Sequence, residues 1–152
     1  MLGRIVRPGD FQQLLATAPM ARSAHFVAHH VAGRPGLRAK AESAPARAEL
    51  STGDPSGCTQ PVDDSSHAVP EGCWLGIAVP KRHARDAATR NLIRRQIRAV
   101  VSASEPTLAR GLWLVRLRAP FDRRHFRSAT SQPLRLAARA ELATLMQRAR
   151  AA

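Results

Sequence analysis

Between Gly33 and Gly72 the sequence carries no hydrophobic periodicity of either helical or strand type, and this gap limits what the rest of the chain can build. Pro, Gly, Ser, Ala and Asp fill it, as in Ala44-Pro45, Gly53-Asp54-Pro55-Ser56-Gly57 and Asp63-Asp64-Ser65-Ser66. Such a composition buries too little apolar surface to offset the entropy of ordering, so residues 33–72 read as a long, low-complexity, disordered insertion. At 152 residues the chain suffices for one domain with a real core and is short for two. A single domain over residues 1–152, interrupted by the insertion, is therefore expected.

The insertion also sorts the charge. The chain holds 24 Lys and Arg against 11 Asp and Glu, a formal +13. Six of the acids (Glu42, Glu49, Asp54, Asp63, Asp64 and Glu71) fall in the insertion beside four basic residues (Arg34, Arg38, Lys40 and Arg47). The remainder carries 20 basic and 5 acidic residues, a net +15. The basic signal thus belongs to the folded part and predicts a polyanionic partner. Biased codon usage is the bland alternative, since only Lys40 and Lys81 are lysines.

The longest apolar run, Trp74 to Val79, is six residues long, far short of a membrane span or a secretion signal. Cys58 and Cys73 form no close metal-type pair and no disulfide framework, which suits a reducing cytoplasm and no membrane partner.

Outside the insertion the pattern predicts helix, strand, strand, helix, strand and helix, an α+β sandwich with helices on a small sheet. Asp10 reads as an N-cap ahead of Phe11, Leu14 and Leu15 on one helical face. His25–Val31 and Trp74–Val79 read as strands, the second ended by Pro80. From Thr89 to about Ser102, Leu92, Ile93, Ile97, Val100 and Val101 gather on one side of a helix, with Thr89 or Asp86 as cap. Leu112–Leu117 fits a strand covered on at least one face, and Ser131-Gln132-Pro133 opens a last helix from Leu134 to about Arg148.

The chemistry concentrates in Val79-Pro80-Lys81-Arg82-His83-Ala84-Arg85-Asp86-Ala87-Ala88-Thr89-Arg90-Asn91-Leu92-Ile93-Arg94-Arg95-Gln96-Ile97-Arg98, which leaves a strand, crosses a loop and enters a helix. Arg90, Arg94 and Arg98 stack four apart along one stripe, with Arg95 adjacent. Like charges at that spacing cost an isolated helix about 0.2–0.5 kcal/mol per pair. Bound phosphates relieve that repulsion and release counterions, and the planar guanidinium grips phosphate in a bidentate fashion. A solvated arginine face with no partner is the structural alternative.

Arg90-Asn91-Leu92-Ile93-Arg94-Arg95-Gln96-Ile97-Arg98 resembles the signature of the protein subunit of bacterial ribonuclease P, a strand, a basic turn and an Arg-Asn-x-Ile-Lys-Arg-x-x-Arg helix. The likeness extends to Asp10-Phe11, Phe26-Val27, the Leu112 strand and the last helix, and covers everything but the insertion. Arg94 stands where the family usually has Lys, Ala99 where an acid or amide often follows, and Pro80 where a small polar residue is common. None of these departures removes a phosphate-binding charge.

The resemblance implies an αβββαβα fold of the ribonuclease P protein-like, ribosomal protein S5 domain 2-like type, with a small mixed sheet. It implies that Lys81, Arg82, Arg85, Arg90, Asn91, Arg94, Arg95 and Arg98 contact the catalytic RNA, and that Phe11, Phe26 and His29 line a cleft for the 5′ leader of precursor tRNA. Catalysis would belong to the RNA, with Mg²⁺ held mainly by RNA phosphates. The chain itself would supply no catalytic residue and no metal ligand, and DNA would not be a partner.

A protein-only nuclease would need converging carboxylates and histidines, and the tight cluster Asp63, Asp64 and His67 sits in the insertion. His25, His29 and His30 have no carboxylate or cysteine close in sequence to complete a metal site. A generic RNA-binding structural protein, such as a ribosomal component, shares the charge and size but does not require the Arg90–Arg98 pattern after a strand. Deleting Arg38 to Val69 is expected to leave the fold intact; loss of the cooperative unfolding transition in the shortened chain would contradict the reading of that segment.

Overall fold

β5 (Gly111–Leu117) organises the sheet. Its Leu112, Trp113, Leu114, Val115 and Leu117 are all buried, the pattern of a strand covered on both faces. In the computed structural model, which describes residues 1–36, 72–126, 128 and 131–152, β5 pairs in parallel with β4 (Cys73–Ala78) and antiparallel with β3 (Phe26–Val31). β1 (Leu2–Arg4) runs parallel to β4 at one edge, and β2 (Ala21–Arg22) runs antiparallel to β3 at the other. The result is a mixed five-stranded sheet in the order β1-β4-β5-β3-β2.

Strand alternation divides the interior in two. Phe26, Ala28, Leu75, Trp113, Val115 and Leu117 point to one face, where α2 (Ala87–Ser104) and α3 (Gln132–Ala151) cover them. Leu112, Leu114 and Trp74 point to the other, where α1 (Pro8–Ala16) brings Leu14 and Phe11 onto them. The Trp113 indole N–H donates to the Ala109 carbonyl at 2.8 Å, so the largest buried side chain leaves no polar atom unpaired. Phe11 rests on Gly76, where a Cβ would lie 2.9 Å from its ring.

α2 buries Leu92, Ile93, Ile97, Val100 and Val101, a single stripe at helical spacing. Each such side chain stabilises the fold by about 1.5–3 kcal/mol. α3 buries Leu134, Ala138, Leu142, Leu145, Met146 and Ala149, and the Ser131 hydroxyl oxygen accepts the Leu134 N–H at 3.3 Å, as a helix cap should. The α+β class and the order helix, three strands, helix, strand, helix match expectation, with β1 as an extra strand in front.

Several local expectations are corrected. Asp10 is not the N-cap of α1: the helix starts at Pro8, with Arg7 in the cap position. Proline suits the first helical position because its φ is already helical and its missing N–H would be unpaired there anyway. The buried Asp10 carboxylate instead accepts the Gly36 N–H at 3.0 Å, tying α1 to the chain beyond β3. Leu15 is 45% exposed, because it lies about 100° around the helix from Leu14 and off the buried face. α2 begins at Ala87 after Asp86, so Thr89 lies inside its first turn. β1 and β2 span three and two residues, too few to show alternation in sequence. Residues 37–71, with Cys58 and the Asp63, Asp64 and His67 cluster, lie outside the described residues.

Glu141 fastens α3 to the β2–β3 turn. Its Oε1 accepts from the Ser23 hydroxyl at 2.5 Å and the His25 backbone N–H at 2.6 Å, and its Oε2 lies 2.7 Å from His25 Nδ1. Burial pushes this carboxyl up, but the hydrogen bonds from Ser23 and His25 and the attraction of the imidazole outweigh it and hold the group below its ordinary value. A carboxyl held low by folding contributes stability that is complete above its unfolded pKa, about 4.3, and is lost as pH falls through the folded value. Urea unfolding should therefore show stability declining as pH drops below about 4.3, with a shallower decline in Glu141→Gln. Equal declines in the two proteins would contradict this assignment.

Candidate nucleic-acid interface

Burial of one stripe of α2 decides what the other side presents. With Leu92, Ile93 and Ile97 against the sheet, Asn91, Arg94, Arg95 and Arg98 are exposed. Ahead of the helix, a turn held by hydrogen bonds from the His83 and Ala84 N–H groups to the Pro80 carbonyl, at 3.1 and 3.2 Å, exposes Lys81, Arg82 and Arg85. Ala84 is buried beneath that turn and fixes it to the core.

Arg90 differs from its neighbours. It is half-buried, and its Nη1 donates to the Ala84 and Arg85 carbonyls at 3.0 and 2.6 Å. It braces the basic turn from within, so the outward stripe consists of Arg94, Arg95 and Arg98. The Asp86 carboxylate accepts from Arg123 Nη2 at 3.2 Å rather than capping α2. That contact draws the segment after β5 against the turn and bounds a recess of about 630 Å³ lined by Arg82, His83, Arg85, Phe121 and Phe126. His25 stacks on Phe121 at its wall, with ring centroids 4.1 Å apart.

The three residues expected around a leader cleft do not share one surface. Phe11 and His29 lie on the α1 face of the sheet, whereas Phe26 is fully buried on the opposite face, beneath α2 and α3. The cause is strand geometry: Phe26 and His29 are three apart in β3, and residues an odd number apart point to opposite faces. Phe26 is a core residue, beside Phe121 at 5.8 Å, and is corrected as a cleft residue.

His29 is buried, and its Nδ1 lies 3.0 Å from the Thr17 carbonyl at the end of α1. A carbonyl only accepts, so the ring proton sits on Nδ1 and Nε2 carries a lone pair with no hydrogen-bond partner among the described residues. Burial lowers the imidazole pKa, the Thr17 contact opposes this, and the charges of Arg116 and Arg22 lower it further.

Those two arginines were missed in sequence. Arg22 registers with Val27, Val27 with Arg116, and Arg116 with Ala78, one row across the α1 face. A signal existed: Arg116 interrupts an apolar run and shares parity with Leu112 and Leu114. Among the described residues no three His, Cys, Asp or Glu side chains come together as a metal site. The surface offers cations and flat rings, the chemistry of phosphate and base contact. No helix among the described residues is long and apolar enough to cross a membrane.

Comparison with known proteins finds both sequence and structural relatives. The sequence profile of the family described as Ribonuclease P matches residues 3–141. The ribonuclease P protein component of Paraburkholderia xenovorans (strain LB400) is 28% identical over 146 residues, 96% of this chain and 79% of that protein. That of Burkholderia pseudomallei (strain 1106a) is 26% identical over 146 residues, 96% of this chain and 81% of that protein. The solved structure of Staphylococcus aureus RNase P protein superposes with a TM-score of 0.58 at 16% identity, over 95% of this chain and 92% of that one, and shares its fold.

The two kinds of arginine should separate in a stability measurement. Arg90→Ala removes two hydrogen bonds that hold the basic turn and should lower stability by about 1–2 kcal/mol in urea. Arg94→Ala, at an exposed position, should stay within about 0.5 kcal/mol of the parent. Equal losses would contradict the division of roles.

Proposed function

This chain belongs to the ribonuclease P protein family, and we propose that its basic turn and outward α2 arginines dock the catalytic RNA while the α1 face of the sheet holds the 5′ leader of precursor tRNA. It is a protein component of ribonuclease P, an endoribonuclease holoenzyme of tRNA processing. The observation that carries the docking assignment is the alignment of Arg94, Arg95 and Arg98 on the exposed side of a core-anchored helix, directly after Lys81, Arg82 and Arg85.

In this reading the chain's residues bind and orient. The α2 arginines and the turn neutralise RNA phosphates, each contact releasing condensed counterions. Asn91, exposed beside Arg94 and Arg95, adds an amide that can donate and accept within the same surface. On the α1 face, Phe11 supplies a ring for stacking, worth about 1–3 kcal/mol per base. Arg22 and Arg116 supply positive charge along the same row. His29, buried on the same face and fixed by its Thr17 contact, supports this row from beneath, its Nε2 being closed to solvent. Holding the leader and the catalytic RNA on one rigid body lowers the entropic cost of bringing substrate and ribozyme together. Magnesium ions carried by RNA phosphates would supply the activated water for phosphodiester cleavage. The expected setting is the cytoplasm, without a membrane or DNA partner.

Reconstitution tests the reading. Added to a bacterial ribonuclease P RNA at low Mg²⁺, the protein should stimulate removal of the leader from precursor tRNA. Arg94→Ala with Arg95→Ala should weaken binding to that RNA and flatten the dependence of log affinity on log salt by roughly 0.7–0.9 unit per lost contact. An unchanged slope, or co-purification with ribosomal particles instead of one abundant structured RNA, would contradict the proposal.

A further inference from the structure

The recess between the basic turn and the segment after β5 holds rings as well as charge. Its volume of about 630 Å³ falls within the range of about 300–1,000 Å³ typical of small-molecule pockets. Ile93 and Leu134, both core residues, give it an apolar floor. Phe121 and Phe126 form a wall, edge to face with ring centroids 5.8 Å apart. That wall is firm, because His25 stacks on Phe121 at 4.1 Å and is itself held by Glu141 through Nδ1 at 2.7 Å. Arg82 and Arg85 of the basic turn line the recess as well.

The charges around the recess are not equally available. Asp86 is paired with Arg123 at 3.2 Å. The Asp122 carboxylate accepts the Arg124 backbone N–H at 2.8 Å and lies 3.1 Å from His125 Nδ1. Both carboxylates and Arg123 are therefore engaged. Arg82 and Arg85 are exposed. Among the described residues, Arg82 spends only its Nε, on His83 Nε2 at 3.1 Å, and the Arg85 guanidinium has no hydrogen bond or ion pair. Two guanidinium groups on one recess repel each other unless an anion joins them, and such forks grip phosphate oxygens in pairs.

We infer that this recess binds a single free nucleoside monophosphate, with its phosphate on Arg82 and Arg85 and its base against Phe121 and Phe126. A terminal phosphate monoester carries about −1.5 to −2 charge at pH 7, which matches two available guanidinium groups. Each phosphate within an RNA strand carries a single negative charge. The Asp86–Arg123 contact joins the turn to the segment after β5, which suits a ligand that ends in the recess over a strand that runs on through it. Inorganic phosphate would leave the rings in water, and a nucleoside alone would leave the arginines unpaired. The same two arginines belong to the proposed RNA-docking surface, but the nucleotide site needs no RNA and is tested on the protein by itself.

Titration calorimetry of the full chain with adenosine 5′-monophosphate, adenosine, inorganic phosphate and the unphosphorylated trinucleotide ApApA tests the site. The monophosphate should bind saturably, one per chain, and more tightly than the other three. Arg85→Ala should weaken it roughly tenfold or more, the loss expected for hydrogen bonds to a charged group. Phe121→Leu, which keeps apolar volume but removes the ring, should weaken it roughly fivefold or more. Arg85 is exposed, so its variant keeps the test decisive even if Phe121→Leu does not fold. Arg139→Ala, at an exposed position on α3 that does not line the recess, is the control for bulk charge and should bind like the parent. Absence of saturable binding by the monophosphate would overturn the site, as would an equal loss in Arg85→Ala and Arg139→Ala. Inorganic phosphate binding as tightly as the monophosphate would reduce the recess to a bare anion site and overturn the assignment. Tighter binding of ApApA would make the occupant an RNA strand and overturn it too.

Discussion

Burial of Leu92, Ile93, Ile97, Val100 and Val101 against the sheet fixes the rotation of α2, and that rotation determines where its arginines stand. A helix this basic gains little from its own side-chain pairs, since like charges four apart oppose helix formation. Its stability comes from tertiary packing of the apolar stripe. Because the stripe meets Trp113, Val115 and Leu75 in one core, the helix cannot roll without opening a cavity. Arg94, Arg95 and Arg98 are therefore presented in a preset geometry, with little further ordering needed on binding.

The same reasoning separates charges that build the surface from charges that face outward. Arg90 spends Nη1 on the carbonyls of Ala84 and Arg85, and Arg123 engages Asp86. These contacts hold the basic turn against the start of α2 and keep Lys81, Arg82 and Arg85 outside. Asp10 and Glu141 serve the scaffold, one fixing α1 to Gly36 and the other fixing α3 to the turn before β3. Two of the acids in the folded part are thus consumed internally, which leaves the outer field strongly positive.

How much of this could be read in the sequence depended on the length of each pattern. α2 and α3 were legible because their apolar positions repeat over several turns, and β5 because the apolar run Leu112–Val115 implies cover. β1 and β2 were not, since three and two residues carry no period. The arginine stripe was legible from spacing, but the inward role of Arg90 was not, because it depends on where a loop places two carbonyls. Phe26 was misplaced for a reason the sequence did contain, since a separation of three from His29 sends the two side chains to opposite faces. Arg116 and Arg22 follow from the same parity once strand register is known. The place of β1 is set by non-local pairing of Leu2–Arg4 with β4, which no local pattern announces.

A crosslinking measurement tests the central claim most directly. With benzoylphenylalanine in place of Asn91, on the exposed side of α2, or in place of Arg139, on the exposed side of α3, each protein is assembled with a bacterial ribonuclease P RNA and irradiated. The account predicts strong crosslinks from position 91 to one confined region of the RNA, and few from position 139. Equal yields from both positions, or crosslinks from position 139 alone, would show that the RNA does not dock on the arginine face of α2.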